Sequence, residues 1–186
     1  MNISDLSNIT AEEWNVIYDD WGGWKGQGSG GGSFIENNYY LIDWLQTFIQ
    51  KNNIKNIVDV GCGDLQWMSA VFKNKPSLMY TGIDCVDSLI KAHRKNYSYY
   101  TFFNKNISQE EPLLKGKYDL VICKDVLQHN TKRPEQIINS VNKIKAKVKL
   151  LISPEYITCP NLFNYTWVLN YQSDEQKSIY INEQTT

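Results

Sequence analysis

Short apolar segments alternate with amphipathic segments between residues 57 and 152, and no other feature of the sequence restricts the fold as strongly. The apolar segments have the length of strands, and the segments between them repeat their apolar residues at helical spacing. The predicted strands are 57–60, 78–83, 99–103, 118–123 and 148–152, and the predicted helices are 65–72, 87–96 and 134–144. Strands that alternate with helices form a parallel sheet covered on both faces. The sequence therefore predicts an α/β fold with three layers.

A closing hairpin is predicted after this alternating region. Segments 167–171 and 178–181 have the composition of strands and are separated by a polar turn. With the preceding strands they give a mostly parallel seven-stranded sheet that ends in a C-terminal antiparallel hairpin. The length of 186 residues favours one domain, with residues 36–186 as its core.

The segment before this core, residues 1–35, is predicted to contain a helix and a glycine-rich lid. Thr10 is the expected N-cap of a helix over 11–20, with Glu13 as its capping-box partner. Residues 21–33 hold seven of the 11 glycines, a density that excludes regular structure. A flexible linker is one interpretation. Because two tryptophans accompany the glycines, a lid over a ligand is the alternative. A further amphipathic helix is expected over 36–51.

Charge and cysteine content exclude several classes of protein. The net charge of −1 gives no overall field that would attract nucleic acid or an anionic membrane. The four cysteines form no Cys-x-x-Cys pair and only two histidines accompany them, so no metal site is expected. Cysteines beside apolar strands suit a reducing compartment, and the cytoplasm is the predicted location. No signal peptide and no apolar stretch of about 18 residues is recognised, so no membrane partner is expected.

Two glycine patterns compete for the role of ligand loop. Residues 26–31 match G-x-G-x-x-G, but no strand precedes them and no helix follows directly. Residues 59–63, in contrast, follow a predicted strand and precede a helix. The third glycine of a dinucleotide site would fall at Gln66, so a dinucleotide is disfavoured. Asp84 ends the second strand, where a carboxylate can accept both hydroxyls of a ribose.

Three segments in order, 57–64, 80–84 and 118–129, resemble the strand-end motifs of class I methyltransferases that use S-adenosylmethionine (SAM). The resemblance extends over about residues 56–152. It implies a Rossmann-like sheet with SAM across the carboxyl ends of the strands and S-adenosylhomocysteine (SAH) as product. In the implied site, Asp59, Gly61 and Gly63 line the methionine part, Asp84 holds the ribose, and Asn106 lies near the adenine. The full predicted set of cofactor residues is Asp59, Gly61, Cys62, Gly63, Asp84, Cys85, Asn106, Ile107 and Lys124.

The glycine-rich segment, together with residues 122–129, is also similar to a smaller group of methyltransferases. Some of these are fused to glycan-building enzymes, and the group includes sugar O-methyltransferases of large viruses. This looser resemblance implies a carbohydrate acceptor and a partner enzyme in glycan synthesis. It also implies the host-cell cytoplasm as the location if the chain is viral.

The reacting centre is expected after the fourth strand. A hydroxyl acceptor must lose a proton, so a base near the transferred methyl group is needed. If a helix begins near Asp125, Asp125 and His129 share one face, and Asp125 orients His129 as the base. Each residue also has a structural interpretation: Asp125 as a helix cap and His129 as part of the pocket wall. Lys124 is expected to anchor a substrate or a carboxylate, and His93 to lie on a solvated helix face.

Acceptor binding is assigned to aromatic side chains of the N-terminal segment and to residues after the fourth and fifth strands. The predicted set is Tyr18, Trp21, Trp24, Gln128, Glu155 and Tyr156. The leading hypothesis is therefore methyl transfer to a hydroxyl group of an acceptor substrate such as a sugar. A second hypothesis is RNA ribose methylation, which the lysines at 143, 145, 147 and 149 favour, although a nucleic-acid partner is not expected. Two further hypotheses are a non-catalytic SAM-binding subunit and a nicotinamide oxidoreductase.

Overall fold

The computed structural model describes residues 8–73, 77–108, 114–132, 134–154, 165–173 and 175–183. The α-helices among them are α1 (Ala11–Trp21), α2 (Tyr39–Lys51), α3 (Gln66–Phe72), α4 (Asp87–Asn96) and α5 (Pro134–Lys143). The strands are β1 (Asn56–Val60), β2 (Met79–Asp84), β3 (Thr101–Asn104), β4 (Lys117–Lys124), β5 (Lys145–Pro154), β6 (Thr166–Gln172) and β7 (Gln176–Glu183). Short 3₁₀ helices cover Trp24–Gly26, Gly31–Ser33, Glu36–Asn38 and Leu127–His129.

The seven strands form one sheet in the order β3-β2-β1-β4-β5-β7-β6. The pairs from β3 to β5 are parallel, whereas β7 pairs antiparallel with both β5 and β6. The predicted mostly parallel sheet with a closing hairpin is confirmed. Since β1 has β2 on one side and β4 on the other, the carboxyl ends of these three strands border one crevice. Such a crevice is where open α/β sheets bind their ligands.

The two faces of the sheet bury separate hydrophobic clusters, which makes the three layers. Ile57 of β1 belongs to one cluster together with residues of α2 and α3, and its neighbour Val58 belongs to the other together with residues of α5. Successive strand residues point to opposite faces, so a strand covered on both sides must be apolar throughout. This is why β1 is almost completely buried and why its loop is held firmly.

Helix α1 begins with the predicted capping box. The hydroxyl of Thr10 accepts a hydrogen bond from the backbone N–H of Glu13 at 3.2 Å, and the Glu13 carboxylate accepts from the N–H of Thr10 at 2.8 Å. The helix ends where Gly22 adopts a left-handed conformation with φ 71°. These signals fix α1 from Ala11 to Trp21, which places its aromatic side chains beside the carboxyl ends of the strands. None of the described helices is long and apolar enough to cross a membrane.

Candidate cofactor and acceptor site

A cavity of about 670 Å³ opens at the carboxyl ends of β1, β2 and β4. Every predicted cofactor residue lines it: Asp59, Gly61, Cys62, Gly63, Asp84, Cys85, Asn106, Ile107 and Lys124. Five of the predicted reacting or acceptor residues line it as well: Tyr18, Trp24, Asp125, Gln128 and His129. The fold thus brings together residues that are more than 100 positions apart in the sequence. The volume lies within the range of about 300–1,000 Å³ that is usual for small-molecule sites.

The loop after β1 is shaped by glycines that no other residue could replace without strain. Gly61 has φ 77°, and a Cβ atom there would clash with Cγ2 of Val126. Gly63 has φ 54°, and its N–H donates to the Asp84 carboxylate at 2.9 Å. The loop therefore turns sharply and keeps its backbone at the cavity wall, where a ligand can approach closely.

Asp84 is fixed by backbone groups on two sides. Its Oδ2 accepts from the N–H of Gly63 and its Oδ1 accepts from the N–H of Val86 at 3.0 Å. Burial raises the pKa of Asp84, and these hydrogen bonds and the nearby His93 oppose that rise. Each carboxylate oxygen has a second lone pair, so the group can still accept from a ligand. A ribose diol is a suitable partner for a carboxylate held in this way.

Asp59 lies deeper in the cavity wall and is 2% exposed. Burial raises its pKa to about 7, with a further contribution from the charge of Asp84. The Tyr80 hydroxyl, which donates to Asp59 Oδ2 at 2.7 Å, and the Lys124 ammonium act in the opposite direction. Asp59 is therefore balanced between its neutral and its ionised form. A cationic ligand such as an α-ammonium group would shift it to the ionised form.

His93 was predicted to lie on a solvated helix face, and this prediction is wrong. The side chain is 5% exposed, and its Nε2 lies 2.7 Å from the carbonyl oxygen of Gly63. Its ring also packs against Phe102, with centroids 5.2 Å apart. The available signal was its spacing: His93 follows the buried Ile90 by three positions and therefore shares its helix face. His93 thus supports the glycine loop through its contact with the Gly63 carbonyl.

The glycine-rich segment is not a flexible linker but an ordered wall of the cavity. Ser29 N–H donates to Asp64 Oδ2 at 2.7 Å, and Asp64 N–H donates back to the Ser29 hydroxyl at 2.9 Å. The Tyr18 hydroxyl contacts the Ser29 hydroxyl at 2.7 Å. On the other side, Lys124 Nζ donates to the carbonyl of Gly32 at 2.7 Å. We name these contacts the Ser29–Asp64 clasp; whether the segment opens and closes as a lid stays a prediction.

Aromatic rings form the outer part of the same wall. The ring of His129 meets Trp14 at 5.0 Å and Trp24 at 5.2 Å between centroids, both edge to face. Trp14 also lines the cavity. Trp21 is 45% exposed and is not among the lining residues, so the structure places it outside this cavity, and its role in acceptor binding stays a prediction. As the last residue of α1, it lies beyond the turn that carries Tyr18 to the cavity.

The predicted helix that would pair Asp125 with His129 does not form. Asp125 has φ 56°, a left-handed conformation that no α-helix accommodates, and only a short 3₁₀ helix follows at Leu127–His129. The Asp125 carboxylate instead contacts the ammonium groups of Lys124 and Lys177, the latter at 2.7 Å. Burial raises the pKa of Asp125, but the two lysines outweigh it and lower the pKa below its usual value. Asp125 is thus an ionised acceptor, not the partner of His129.

Lys177 is the residue of this site that sequence reasoning missed. It is 1% exposed and lines the cavity from β7. The register of β5 and β7 places it beside Pro154, which brings it to the carboxyl end of the sheet. No local pattern marks it, because its position follows only from the pairing of two distant strands.

Other predicted residues have mixed outcomes. Gln128 lines the cavity, and its Oε1 is buried without a hydrogen-bond partner. Glu155 and Tyr156 lie outside the described residues. Lys149 is buried and donates to the Asn142 carbonyl, so it does not continue the exposed lysines at 143, 145 and 147. Among the side chains that the structure describes, no group of three or more histidine, cysteine or acidic residues is arranged to hold a metal ion.

Comparison with known proteins agrees with this geometry. The family model described as "Methyltransferase domain" matches residues 58–147, which run from β1 into β5 and include the glycine loop, Asp84 and Asp125. This matched region, just under half of the chain, is similar to a methyltransferase domain, and the fold is that of class I SAM-dependent methyltransferases. Its cofactor is SAM, which confirms the prediction from the sequence. The cavity residues fit this group chemically, since buried carboxylates meet its ammonium and ribose groups and a glycine backbone allows close approach.

Among curated proteins, this methyltransferase is similar to the non-reducing polyketide synthase mapC of Penicillium brevicompactum. The two are 28% identical over 131 residues, which are 64% of this chain and 5% of the synthase. The protein of the same name from Penicillium roqueforti is 29% identical over 131 residues, with the same shares. The chain therefore spans about a twentieth of the length of these relatives.

Solved structures share the fold of this methyltransferase at low sequence identity. The methyltransferase domain of bacterial CtHen1-CN has a TM-score of 0.63 and 15% identity, over 80% of this chain and 100% of that one. The N-methyltransferase NodS of Bradyrhizobium japonicum, in complex with SAH, has a TM-score of 0.57 and 16% identity, over 77% of this chain and 87% of that one. An O-methyltransferase family protein from Burkholderia thailandensis has a TM-score of 0.57 and 13% identity, over 82% of this chain and 58% of that one. These proteins include an N-methyltransferase and an O-methyltransferase family protein, so the fold leaves the acceptor atom open.

Proposed function

We propose that this methyltransferase transfers the methyl group of SAM to a hydroxyl oxygen, and that its acceptor is a sugar or a glycan. The observation that carries the proposal is the unpartnered oxygen of Asp125. Its Oδ1 is buried without a hydrogen-bond partner while its carboxylate lines the cavity. A buried carboxylate oxygen without a partner loses hydration without compensation, so a bound hydrogen-bond donor would stabilise it.

The charges around Asp125 favour a neutral donor over a cationic one. Two ammonium groups, of Lys124 and Lys177, already contact the Asp125 carboxylate, and Glu175 lies 3.8 Å from Lys177. A third ammonium group at Asp125 would lie beside two like charges, which disfavours it. A hydroxyl group donates without bringing charge. The site therefore suits a hydroxylated acceptor better than a protonated amine.

We assign the cofactor residues as the family resemblance implies. Asp59, Gly61 and Gly63 hold the methionine part, Asp84 the ribose, and Asn106 the adenine end. Asn106 lines the cavity and turns its side-chain oxygen to the N–H and hydroxyl of Ser108, which leaves its amide NH₂ free of that contact. When bound, SAM supplies a methyl group on a positively charged sulfur.

His129 is our candidate for the base. The acceptor oxygen forms a bond to the methyl carbon, the carbon–sulfur bond breaks, and its electron pair stays on sulfur. The hydroxyl proton must leave, and an imidazole accepts protons near neutral pH. His129 lines the cavity between Trp14 and Trp24, and these rings offer flat surfaces on which a sugar face can pack. Packing alone remains the alternative role of His129.

The curated relatives suggest how the domain is used. In the two synthases the matching region is a small part of a much longer protein. By analogy, we propose that the chain forms one domain, in which the N-terminal helix and the glycine-rich lid precede the core of residues 36–186. We also propose that it acts beside a partner enzyme that builds or carries the acceptor.

RNA ribose methylation is the second candidate, because a ribose also offers hydroxyl groups. The exposed lysines at 143, 145 and 147, with Lys117 paired in register beside Lys145, form a lysine strip that favours it, although Lys147 is ion-paired with Asp119. The strip lies at the amino ends of β4 and β5, whereas the cavity lies at their carboxyl ends. An RNA would therefore have to extend across the domain to use both.

A tritium-transfer screen tests the proposed function. Purified protein and tritiated SAM are incubated with sugars and oligosaccharides, RNA, phenols and amines, and labelled products are identified by mass spectrometry. We expect label on a sugar hydroxyl and a loss of about 10²- to 10⁴-fold in kcat for His129→Gln. Label on an amine or on RNA alone would overturn the assignment of acceptor. An unchanged rate in His129→Gln would overturn the assignment of the base.

A further inference from the structure

Three charged side chains meet at the acceptor side of the cavity, and only two of them were expected there. Lys124 and Asp125 follow each other at the end of β4, and Lys177 reaches them from β7. We name this group the Lys124–Asp125–Lys177 cluster. The side chains of the two lysines are 3% and 1% exposed, and that of Asp125 is 15% exposed. Two long cationic chains are seldom buried so completely unless a definite geometry holds them.

We infer that Lys177 is a positioning residue for the acceptor: it holds the Asp125 carboxylate so that its second oxygen accepts a hydrogen bond from an acceptor hydroxyl. The inference rests on the proposed function for the identity of that hydroxyl. It concerns a hydroxyl next to the one that is methylated, because the reacting hydroxyl gives its proton to the base.

The hydrogen-bond pattern within the cluster supports this role. Both lysines bind the same oxygen, Asp125 Oδ2, and Lys177 does so at 2.7 Å. Because both lysines bind the same oxygen, the rotation of the Asp125 carboxylate is fixed. Oδ1 is then left buried without a partner at a residue that lines the cavity. The backbone adds rigidity, because the N–H of Asp125 donates to the Ile152 carbonyl at 3.0 Å.

The charges in the cluster keep Asp125 able to accept. A protonated carboxylic acid would donate from one oxygen, whereas the ionised form only accepts. Burial favours the protonated form, and the two lysines overcome it, so the pKa of Asp125 lies below its usual value. Among the described residues, the ionisable groups near the cluster include Glu175, whose carboxylate lies 3.8 Å from Lys177, the buried Cys123, and Asp59, whose carboxylate Lys124 influences. Removal of Lys177 would leave burial opposed by Lys124 alone.

Lys177 also distinguishes the acceptor side from the cofactor side of the cavity. Apart from Lys124 of β4, the cofactor residues come from β1, β2 and the loops after β1, β2 and β3, whereas Lys177 comes from β7. A change at Lys177 should therefore affect acceptor turnover more than cofactor binding. If Lys177 had only a structural role, its replacement would disturb the packing and would weaken both acceptor turnover and cofactor binding.

The first experiment needs no acceptor. Protein labelled with ¹³C at aspartate carboxyl carbons is titrated by NMR between about pH 4 and pH 8, with Asp125→Asn to assign the Asp125 signal. In the wild type we expect this signal to show the ionised form throughout. In Lys177→Met we expect the pKa of Asp125 to be higher than in the wild type by at least about one unit. In Lys177→Arg we expect the signal to behave as in the wild type. Lys145→Met, which removes an exposed lysine at the opposite end of β5, should change nothing.

The second experiment measures SAH affinity by calorimetry and kcat with the sugar that takes up label in the screen. In Lys177→Met we expect kcat to fall about 10- to 100-fold with SAH affinity within about twofold, and Lys177→Arg to recover part of kcat. If Lys177→Met does not fold, Lys177→Gln replaces it, since glutamine keeps a donor without the charge. The inference would be overturned if the pKa of Asp125 were the same with and without Lys177, or if SAH affinity and kcat fell equally. A screen without hydroxyl label would overturn the proposed function, while the NMR result would still decide the role of Lys177.

Discussion

At the scale of single residues, Asp59 shows how burial can couple cofactor binding to pH. Its carboxylate has one hydrogen bond from Tyr80 and lies at the end of the central strand, in almost dry surroundings. With a pKa of about 7, it is protonated in much of the free protein at neutral pH. A ligand with an ammonium group favours the ionised form, so binding should release a proton from Asp59.

We therefore expect SAH to bind more weakly as the pH falls below about 7. Each pH unit below the pKa of Asp59 should raise the dissociation constant by up to about tenfold, because more of the protein must first lose that proton. Calorimetry between about pH 5.5 and pH 7.5 in buffers of different ionisation enthalpy measures both the affinity and the released proton.

Two variants control this prediction. Asp59→Asn cannot ionise, so its affinity should be weaker and independent of pH in this range. Tyr80→Phe removes a hydrogen bond that lowers the pKa of Asp59, so the pH dependence should move to higher pH. A wild-type affinity that is flat across the range would contradict the coupling.

Local sequence context reveals some residues of the site and not others. Asp59, Gly61 and Asp84 follow strands in a recognisable order, so their place was predictable from local context. His93 and Lys177 were not, since each acts through a partner from a distant part of the chain. The role of Asp125 was misjudged for the same reason: its lysine partner from β7 and its left-handed backbone have no signature in the residues around it.

At the scale of elements, the Ser29–Asp64 clasp joins the N-terminal wall to the cofactor loop. Helical and strand periodicity predicted most elements to within a few residues, because burial on one or both faces leaves a clear pattern. The wall between α1 and α2 has no such pattern. Glycine content indicated only that it is irregular, and its order comes from hydrogen bonds to Asp64 and Lys124.

We expect Asp64→Ala to weaken SAH binding about tenfold, mainly through faster dissociation. The change removes the acceptor of the Ser29 N–H, and a hydrogen bond to a charged group contributes about 1.5–3 kcal/mol. Stopped-flow tryptophan fluorescence measures the rates, since Trp14, Trp24 and Trp67 line the cavity.

Asp43→Ala, which removes an exposed carboxylate from α2, is the matched control and should leave both rates unchanged. Equal dissociation rates in Asp64→Ala and the wild type would show that the wall does not retain the ligand.

At the scale of the whole molecule, one cavity collects residues from both ends of the described chain and from the centre of the sheet. A ligand bound there should stabilise the entire domain. At a free SAH concentration about 100 times the dissociation constant, the gain is about 2.7 kcal/mol. For a domain of this size that corresponds to a rise in Tm of about 5–10 °C.

Gly61→Val should abolish this rise, because a side chain at φ 77° would collide with Val126 and displace the loop. Differential scanning fluorimetry measures Tm, and circular dichroism checks that the variant is folded. A ligand-induced rise that persists in a folded Gly61→Val variant would place the ligand elsewhere.

The position of β7 between β5 and β6 has a consequence for how the chain matures during synthesis. β6 leaves the ribosome before β7, yet it joins the sheet only through β7. The segment before α2 likewise emerges before Asp64 and Lys124, so Ser29 and Gly32 can form their hydrogen bonds to these residues only later. A nascent chain that ends before Lys177 already contains the complete cofactor loop and Asp125, but not the lysine that we propose positions Asp125. The proposed acceptor contact is thus the last part of the cavity to be completed.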